Sequence, residues 1–255
     1  GVVIKMINKK KSKKDKQKKR LAHLLKKGFA VETHLHTSET SACATASGAQ
    51  LSRYYKSLGY DAIIVTDHFF NGNTVIPSNY SWSQKVALFC RGYESALEEG
   101  QKIGLKVFFG WEYSYHGTDF LTYGLDRNWL LEHPDMLNWG LEGYLTCARK
   151  DGAFIVHAHP FRQAPYIQKI RLFPSLVDGV EVINSRNPSL VYDKQAYEYA
   201  RQYRLPMTSG SDAHCTNIVP GGGLVFSDPI LNISDFIQQT KKRKGKHLIG
   251  VQRLR

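Results

Sequence analysis

The sequence predicts an α/β fold with a parallel sheet. Short apolar runs of strand length recur along the chain. Between them lie longer stretches of helical periodicity, several closed by Gly. Six to eight such alternations in 255 residues fit a (β/α) barrel, with a doubly wound open sheet as the alternative.

The elements follow in order. FAVETHLH (29–36) reads as a strand, and Ala49–Leu58, closed by Gly59, as a helix. YDAIIVTDH (60–68) has the continuous apolar character of a buried parallel strand. A long helical pattern over Trp82–Ile103 ends at Gly104. Strands are expected at 106–113, 119–125 and 153–160, with a helix at 139–150. GVEVIN (179–184) is the next strand, before a helix over 189–203, strands at 207–212 and 222–226, and a last helix over 232–243.

Charge divides the chain into three parts. Residues 1–28 hold twelve basic residues against the single acid Asp15, and 241–255 hold seven and no acid. The remainder has 16 basic and 21 acidic residues, so the formal charge of +13 belongs to the ends. We therefore expect a basic N-terminal extension (1–28), a catalytic barrel (29–240) and a basic tail (241–255). Lysines as dense as those of 5–20 repel one another, so that stretch is expected to fray. Leu21, Leu24, Leu25 and Phe29 share one helical face, which suits packing on the body. The two ends could tether the protein to an acidic partner or remain solvated. A mildly acidic body weakens a general nucleic-acid-binding role. No apolar run is long enough to span a membrane. Cys43, Cys90, Cys147 and Cys215 form no C-x-x-C pair and read as reduced thiols of a cytoplasmic protein.

Chemistry concentrates at the strand ends. Four histidine clusters occur there: Thr33-His34-Leu35-His36, Thr66-Asp67-His68, Val156-His157-Ala158-His159-Pro160 and Ser211-Asp212-Ala213-His214. Glu112, in Gly110-Trp111-Glu112, ends a fifth strand. Residues i and i+2 of a strand face one side, so His34/His36, His157/His159 and Asp212/His214 could each aim two ligands into one space. Barrel strands converge at their C-terminal ends. Mixed imidazole and carboxylate donors suit Zn, Mn or Fe, and their number exceeds the need of one tetrahedral ion. Two or three divalent ions are expected.

These residues, in this order, resemble the PHP family, named for polymerase and histidinol phosphatase. The matching stretches are His34-Leu35-His36-Thr37, Thr66-Asp67-His68, Gly110-Trp111-Glu112, Ala158-His159-Pro160 and Ser211-Asp212-Ala213-His214. The resemblance covers about residues 29–230. It implies a distorted seven-stranded (β/α) TIM-like barrel and phosphoesterase activity. It also implies that His34, His36, Glu112 and Asp212 hold one metal. Glu112 would bridge to a second, shared with His159, and His68 and His214 would hold a third. The sequence departs from the family pattern twice. After the first H-x-H, Glu39 or Cys43 stands where a further His or acid is usual, with Glu39 the better hard ligand. No His precedes Gly124-Leu125, so Asp119 or His157 is left to fill that place. His157 is read equally as a ligand or as a hydrogen-bond donor behind one. Asp67 is expected to orient a ligand or support His68. His116 and His133 read as surface residues.

Metals in such sites activate water and neutralise phosphoryl oxygens. Arg162 and Arg186, both just beyond strand ends, are the candidates for contacting the transferred group, with Asn184 as a polar contact at the rim. The expected activity is hydrolysis of a small phosphomonoester, such as histidinol phosphate or a nucleotide. The alternative is a nuclease acting on short oligonucleotides. A non-enzymatic module with a vestigial metal site is a third reading. An amidohydrolase-type barrel is a fourth, although no Lys stands at a matching strand end.

Overall fold

The computed structural model describes residues 2–242 and 245–250, with side chains from residue 14 onward. Residues 251–255 of the expected tail lie outside the described residues.

The first element is a helix, α1 (Val2–Leu25), that runs through the lysine-rich stretch expected to fray. Lysine repels lysine but is itself a good helix former. The helix is anchored at its end, where Leu21 and Leu25 are buried among Tyr55, Tyr60 and Ile249.

The barrel begins with β1 (Phe29–Leu35), α2 (Gly48–Leu58) and β2 (Ala62–Val65). Ser47 and Gln50 form a reciprocal capping box at the start of α2, and Gly59 ends it in the left-handed conformation. The long helix expected over 82–103 is broken at Cys90 into α3 (Trp82–Phe89) and α4 (Arg91–Ile103). Gly92, just past the break, lets α4 lie against the loop after β1. A Cβ there would stand 1.9 Å from Thr37 Oγ1 and 2.8 Å from Asp67 Oδ2.

The next pair departs from the parallel expectation. β3 (Lys106–Tyr115) and β4 (Thr118–Tyr123) form an antiparallel hairpin. Its two-residue turn, His116-Gly117, has positive φ at both positions (50° and 79°), as a type I′ turn requires. Helices α5 (Arg127–Glu132) and α6 (Gly140–Lys150) then lead to β5 (Phe154–Ala158), antiparallel to β4. Strand β6 (Gly179–Asn184), helix α7 (Leu190–Gln202) and strand β7 (Met207–Gly210) restore the parallel pattern. The chain after β7 returns to β1, where the His36 amide donates to the Ala213 carbonyl at 2.8 Å. Seven strands thus surround the barrel core.

Two more strands flank the barrel. β8 (Leu224–Phe226) runs antiparallel to β1, and β9 (Lys246–Leu248), after α8 (Ile233–Lys241), runs antiparallel to β8. The sheet therefore has nine strands among the described residues, in the order β7-β6-β5-β4-β3-β2-β1-β8-β9. The start of the expected basic tail is part of the fold, since β9 pairs and Ile249 is fully buried. No helix among the described residues is long and apolar enough to cross a membrane.

Candidate metal centre

The inward faces of the strands carry acids and imidazoles where they leave the apolar core. Along β1, Val31 enters the core shared with β2 and β8, while Glu32, His34 and, just past the strand, His36 are buried polar residues; the pairing of β1 with β2 slips between Glu32 and Leu35. His34 Nε2 and His36 Nε2 lie 3.1 Å apart. Glu112 Oε1 is 3.3 Å from His34 Nε2, and Glu112 Oε2 is 3.6 Å from His36 Nε2. Asp212 Oδ1 is 3.7 Å from His34 Nε2 and 3.3 Å from His36 Nε2. Donors bound at about 2.0–2.2 Å to one tetrahedral ion stand about 3.3–3.6 Å apart. Both carboxylates stand at nearly that spacing from the two imidazoles, and all four side chains are buried. The donor set fits a divalent cation.

Two further groups adjoin it. His159 Nε2 lies 3.3 Å from Glu112 Oε1 and 3.9 Å from Asp119 Oδ2. His68 Nδ1 lies 2.8 Å from Glu112 Oε2, and the rings of His68 and His214 both stack on His36, with centroids 4.2 and 4.3 Å away. Glu112 is thus the common neighbour of four histidines. Cys43 lines the same cleft, of about 500 Å³, beside His68 and His214. Burial opposes its thiolate, but hydrogen bonds from His214 and His68 bring its pKa down to about 6.

The protons of the cluster respond to the same charges. Burial disfavours a charged His34, yet Glu181, Asp212 and Glu112 raise its pKa well above the ordinary value. Burial and the neighbouring His68 and His214 push His36 well below it. Burial likewise opposes a charged Glu112, but His34 and His68 hold it well below the carboxylate range.

Two members of the cluster reach it through unusual backbone. His159 has φ 28° and Asp212 has φ 52°, a region that non-glycine residues seldom occupy. Such conformations persist only where the surroundings enforce them, and they gather at functional sites. The turn at His159 also separates it from His157.

His157 is not in the cluster. It points to the outer side of β5, stacked on Phe120 at 5.1 Å between centroids and near Tyr199. Neither ring nitrogen has a hydrogen-bond partner, and the ring reaches neither the cluster nor the far nitrogen of any of its histidines. Glu39 is also elsewhere. Its carboxylate accepts from the Gly48 amide at 3.1 Å, at the start of α2. Asp67 does not bond to the His68 ring. It accepts from the Thr37 amide at 2.6 Å and from the Thr37 and Ser41 hydroxyls, both at 2.7 Å. The Ser41 oxygen in turn accepts from the His68 amide. Asp67 therefore fixes the loop after β1, and burial raises its pKa to about 6 against those bonds.

Arg162 enters the cleft and is held on three sides. Its Nη2 donates to Asp212 Oδ2 (2.8 Å) and Asn184 Oδ1 (2.7 Å), and its Nε to Asn187 Oδ1 (3.0 Å). Arg186 is exposed at the rim of the same cleft. His116 forms the β3–β4 turn, away from the cluster.

Sequence reasoning missed Glu181 and Glu32. Glu181 Oε1 lies 2.9 Å from His34 Nδ1, and its Oε2 accepts from the His159 amide and the Asn184 side chain. A carboxylate on the far nitrogen orients a ligating imidazole. The signal was an acid between Val180 and Val182 in an otherwise apolar strand. Gly210 makes room for this contact, since a Cβ there would stand 2.4 Å from Glu181 Oε1. Glu32, two residues before His34, accepts from the amides of Thr33, His34 and Ser211 and so ties β1 to the chain after β7.

Comparison with known proteins bears on this arrangement. A two-domain protein from Bacteroides vulgatus, described as containing a predicted PHP-like metal-dependent phosphoesterase, superposes with a TM-score of 0.60 at 16% identity over 86% of this chain. The barrel is of the PHP type. The chain spans 64% of the length of that protein. PsfC from Pseudomonas syringae superposes with a TM-score of 0.53 at 20% identity, covering 82% of this chain and 87% of PsfC. The lesion-specific endonuclease PfuEndoQ from Pyrococcus furiosus gives 0.55 at 13% identity, covering 86% of this chain and 57% of the endonuclease. The family described as PHP-associated matches residues 193–244, a segment that includes most of α7, β7, Asp212 and His214. No curated protein compared with the chain matches it.

Proposed function

We propose that this PHP-type barrel is a metal-dependent phosphoesterase of the PHP family that hydrolyses a small phosphomonoester. The observation that carries the reading is the convergence of Glu112 and Asp212 on the His34–His36 pair, with donor separations of 3.1–3.7 Å, at the floor of an open cleft. Those four would hold one divalent ion, Glu112 and His159 with Asp119 a second, and His68 and His214 a third. Zn, Mn and Fe all suit the donors. When bound, such ions supply Lewis acidity and lower the pKa of water.

The chain's own residues do the rest. Glu181 holds the His34 ring by its far nitrogen. Asp67 and Ser41 hold the loop that carries His36 and back the His68 amide. Arg162 keeps Asp212 aimed at the cluster and lines the cleft that an anion would enter. Arg186 adds charge at the rim. Histidinol phosphate and a nucleotide both have the size and charge for this cleft.

The test is direct. Chelated protein should release no phosphate from 4-nitrophenyl phosphate, and Zn, Mn or Fe should restore release. Full metal loading without turnover of any phosphoester would refute the reading. Arg162→Lys retains the charge but loses the fork, and is expected to lower kcat on the order of 10²-fold with metal content unchanged. Metal analysis beside the kinetics checks that split.

A second reading, cleavage of short oligonucleotides, is favoured by the basic helix α1, whose Lys14 Nζ donates to the Asn217 carbonyl a few residues past His214. Removing residues 1–13 leaves Leu21 and Leu25 in place. It should weaken oligonucleotide turnover, and flatten its salt dependence, only if α1 holds the strand.

A further inference from the structure

A second group of metal-ligating side chains lies outside the cleft. His133 caps the C-terminus of α5, while Cys147 and Asp151 lie one turn apart at the C-terminus of α6. Their donor atoms all fall within 4.8 Å of one another. His133 Nε2 is 4.0 Å, and Cys147 Sγ 3.9 Å, from Asp151 Oδ2. The place is remote from the cleft along the sheet. Asp151 stands just before β5 and His159 just after it, so the five-residue strand, about 16 Å of extended chain, lies between them.

Three features pre-form the group. His133 Nδ1 lies 2.7 Å from the Trp129 carbonyl, which requires its proton on that nitrogen and leaves Nε2 a lone pair facing Asp151. That is the outer contact a ligating histidine usually makes. The Trp129 indole N–H donates to Asp151 Oδ2 at 2.8 Å and fixes the carboxylate. Asp151 also sits at the negative end of the α6 dipole, where a carboxylate is unfavourable and a cation is welcome. All three side chains retain solvent access, so water can complete a coordination shell.

We propose that His133, Cys147 and Asp151 bind a divalent ion of the zinc class, with water as fourth ligand, pinning the end of α5 to the end of α6. One nitrogen, one sulfur and one oxygen donor select Zn²⁺ or Co²⁺ over Mg²⁺ or Mn²⁺. At the N-terminal end of the barrel strands such an ion serves stability rather than turnover.

Titration of the full chain with Co²⁺ tests this independently of hydrolysis. The unaltered protein should show a near-ultraviolet thiolate-to-cobalt absorption and quenched Trp129 fluorescence, since that ring lies 4.3 Å from the His133 ring. Cys147→Ser should lose the absorption. Cys43→Ser, in the cleft, should keep it. Asp151→Asn should weaken Co²⁺ binding at this place at least tenfold. Zn²⁺ should raise the melting temperature of the unaltered protein more than that of Cys147→Ser. The proposal fails if no thiolate absorption appears, or if it survives Cys147→Ser. Both serine variants are small changes at accessible positions, and circular dichroism confirms their folding.

Discussion

Glu112→Gln is expected to cut phosphoester hydrolysis on the order of 10³-fold or more and to release metal from more than one position. Glu112 is the common neighbour of His34, His36, His68 and His159, at 2.8–3.6 Å. An amide of the same shape offers one neutral oxygen and an N–H₂ that cannot ligate. It also removes the negative charge that balances the surrounding imidazoles. The loss should therefore appear in metal stoichiometry as well as in kcat, whereas a residue acting only on substrate would leave stoichiometry intact. Elemental analysis of the variant beside a single-turnover assay separates the two. Glu112→Asp, one methylene shorter, should recover part of the metal and little of the rate. Full metal content with undiminished turnover in Glu112→Gln would remove this carboxylate from the centre.

The most legible part of the site is the first histidine pair. His34 and His36 are two apart and both reach the cluster, although β1 ends at Leu35 and its pairing with β2 slips between Glu32 and Leu35. The same rule fails for His157 and His159, because β5 ends at Ala158 and the chain turns through φ 28° at His159. A period-two argument fails where the backbone leaves the extended region. The misreading of Glu39 has another cause. A carboxylate four residues into a loop is as well placed to meet the amides of a coming helix as a metal, and the Gly48 amide claims it. The antiparallel β3–β4 pair was readable in principle. Gly117 follows a long strand pattern, but His116 is not the Asn or Asp that usually marks such a turn. Closure of β1 against the chain after β7 rests on contacts nearly 180 residues apart, and no local pattern reports those.

The charge distribution also changes meaning in three dimensions. The body between the basic ends is acidic by composition. Seven of its acids (Glu32, Asp67, Glu112, Asp119, Glu181, Asp193 and Asp212) are buried. That leaves fourteen acids against sixteen basic residues elsewhere in 29–240, so the body's exterior is not an anionic surface. Anionic substrates approaching the cleft meet no general repulsion. The internal acids are held by specific partners. Asp193, whose burial raises its pKa to about 6, accepts from Asn187, and Asn187 accepts from Arg162. The guanidinium in the cleft is thus positioned by a chain that begins on α7.

Acidification should destabilise this protein through His157, and His157→Phe should remove that part of the sensitivity. His157 is fully buried and its two nitrogens have no partner, so charging it means placing an unsolvated imidazolium among Phe120, Phe173 and Tyr199. Burial, with a smaller contribution from His159, lowers its pKa to about 3. The unfolded chain takes up a proton near pH 6.5, whereas the folded chain does so only near 3. Between those values the unfolded state binds more protons, so stability falls as pH falls, by about 1.4 kcal/mol per unit. From pH 7 to pH 4 the accumulated loss is roughly 3 kcal/mol, a large share of the 5–15 kcal/mol typical of a folded domain. Phe matches the flat ring, keeps the stack on Phe120 and cannot be protonated. Urea unfolding of both proteins at pH 7 and pH 4 isolates the effect, because every other titrating group is common to the pair. The gap between them should shift by roughly 3 kcal/mol in favour of His157→Phe at the lower pH. A gap that does not change with pH would mean that the buried ring already has a proton-accepting partner, such as a trapped water, in both states.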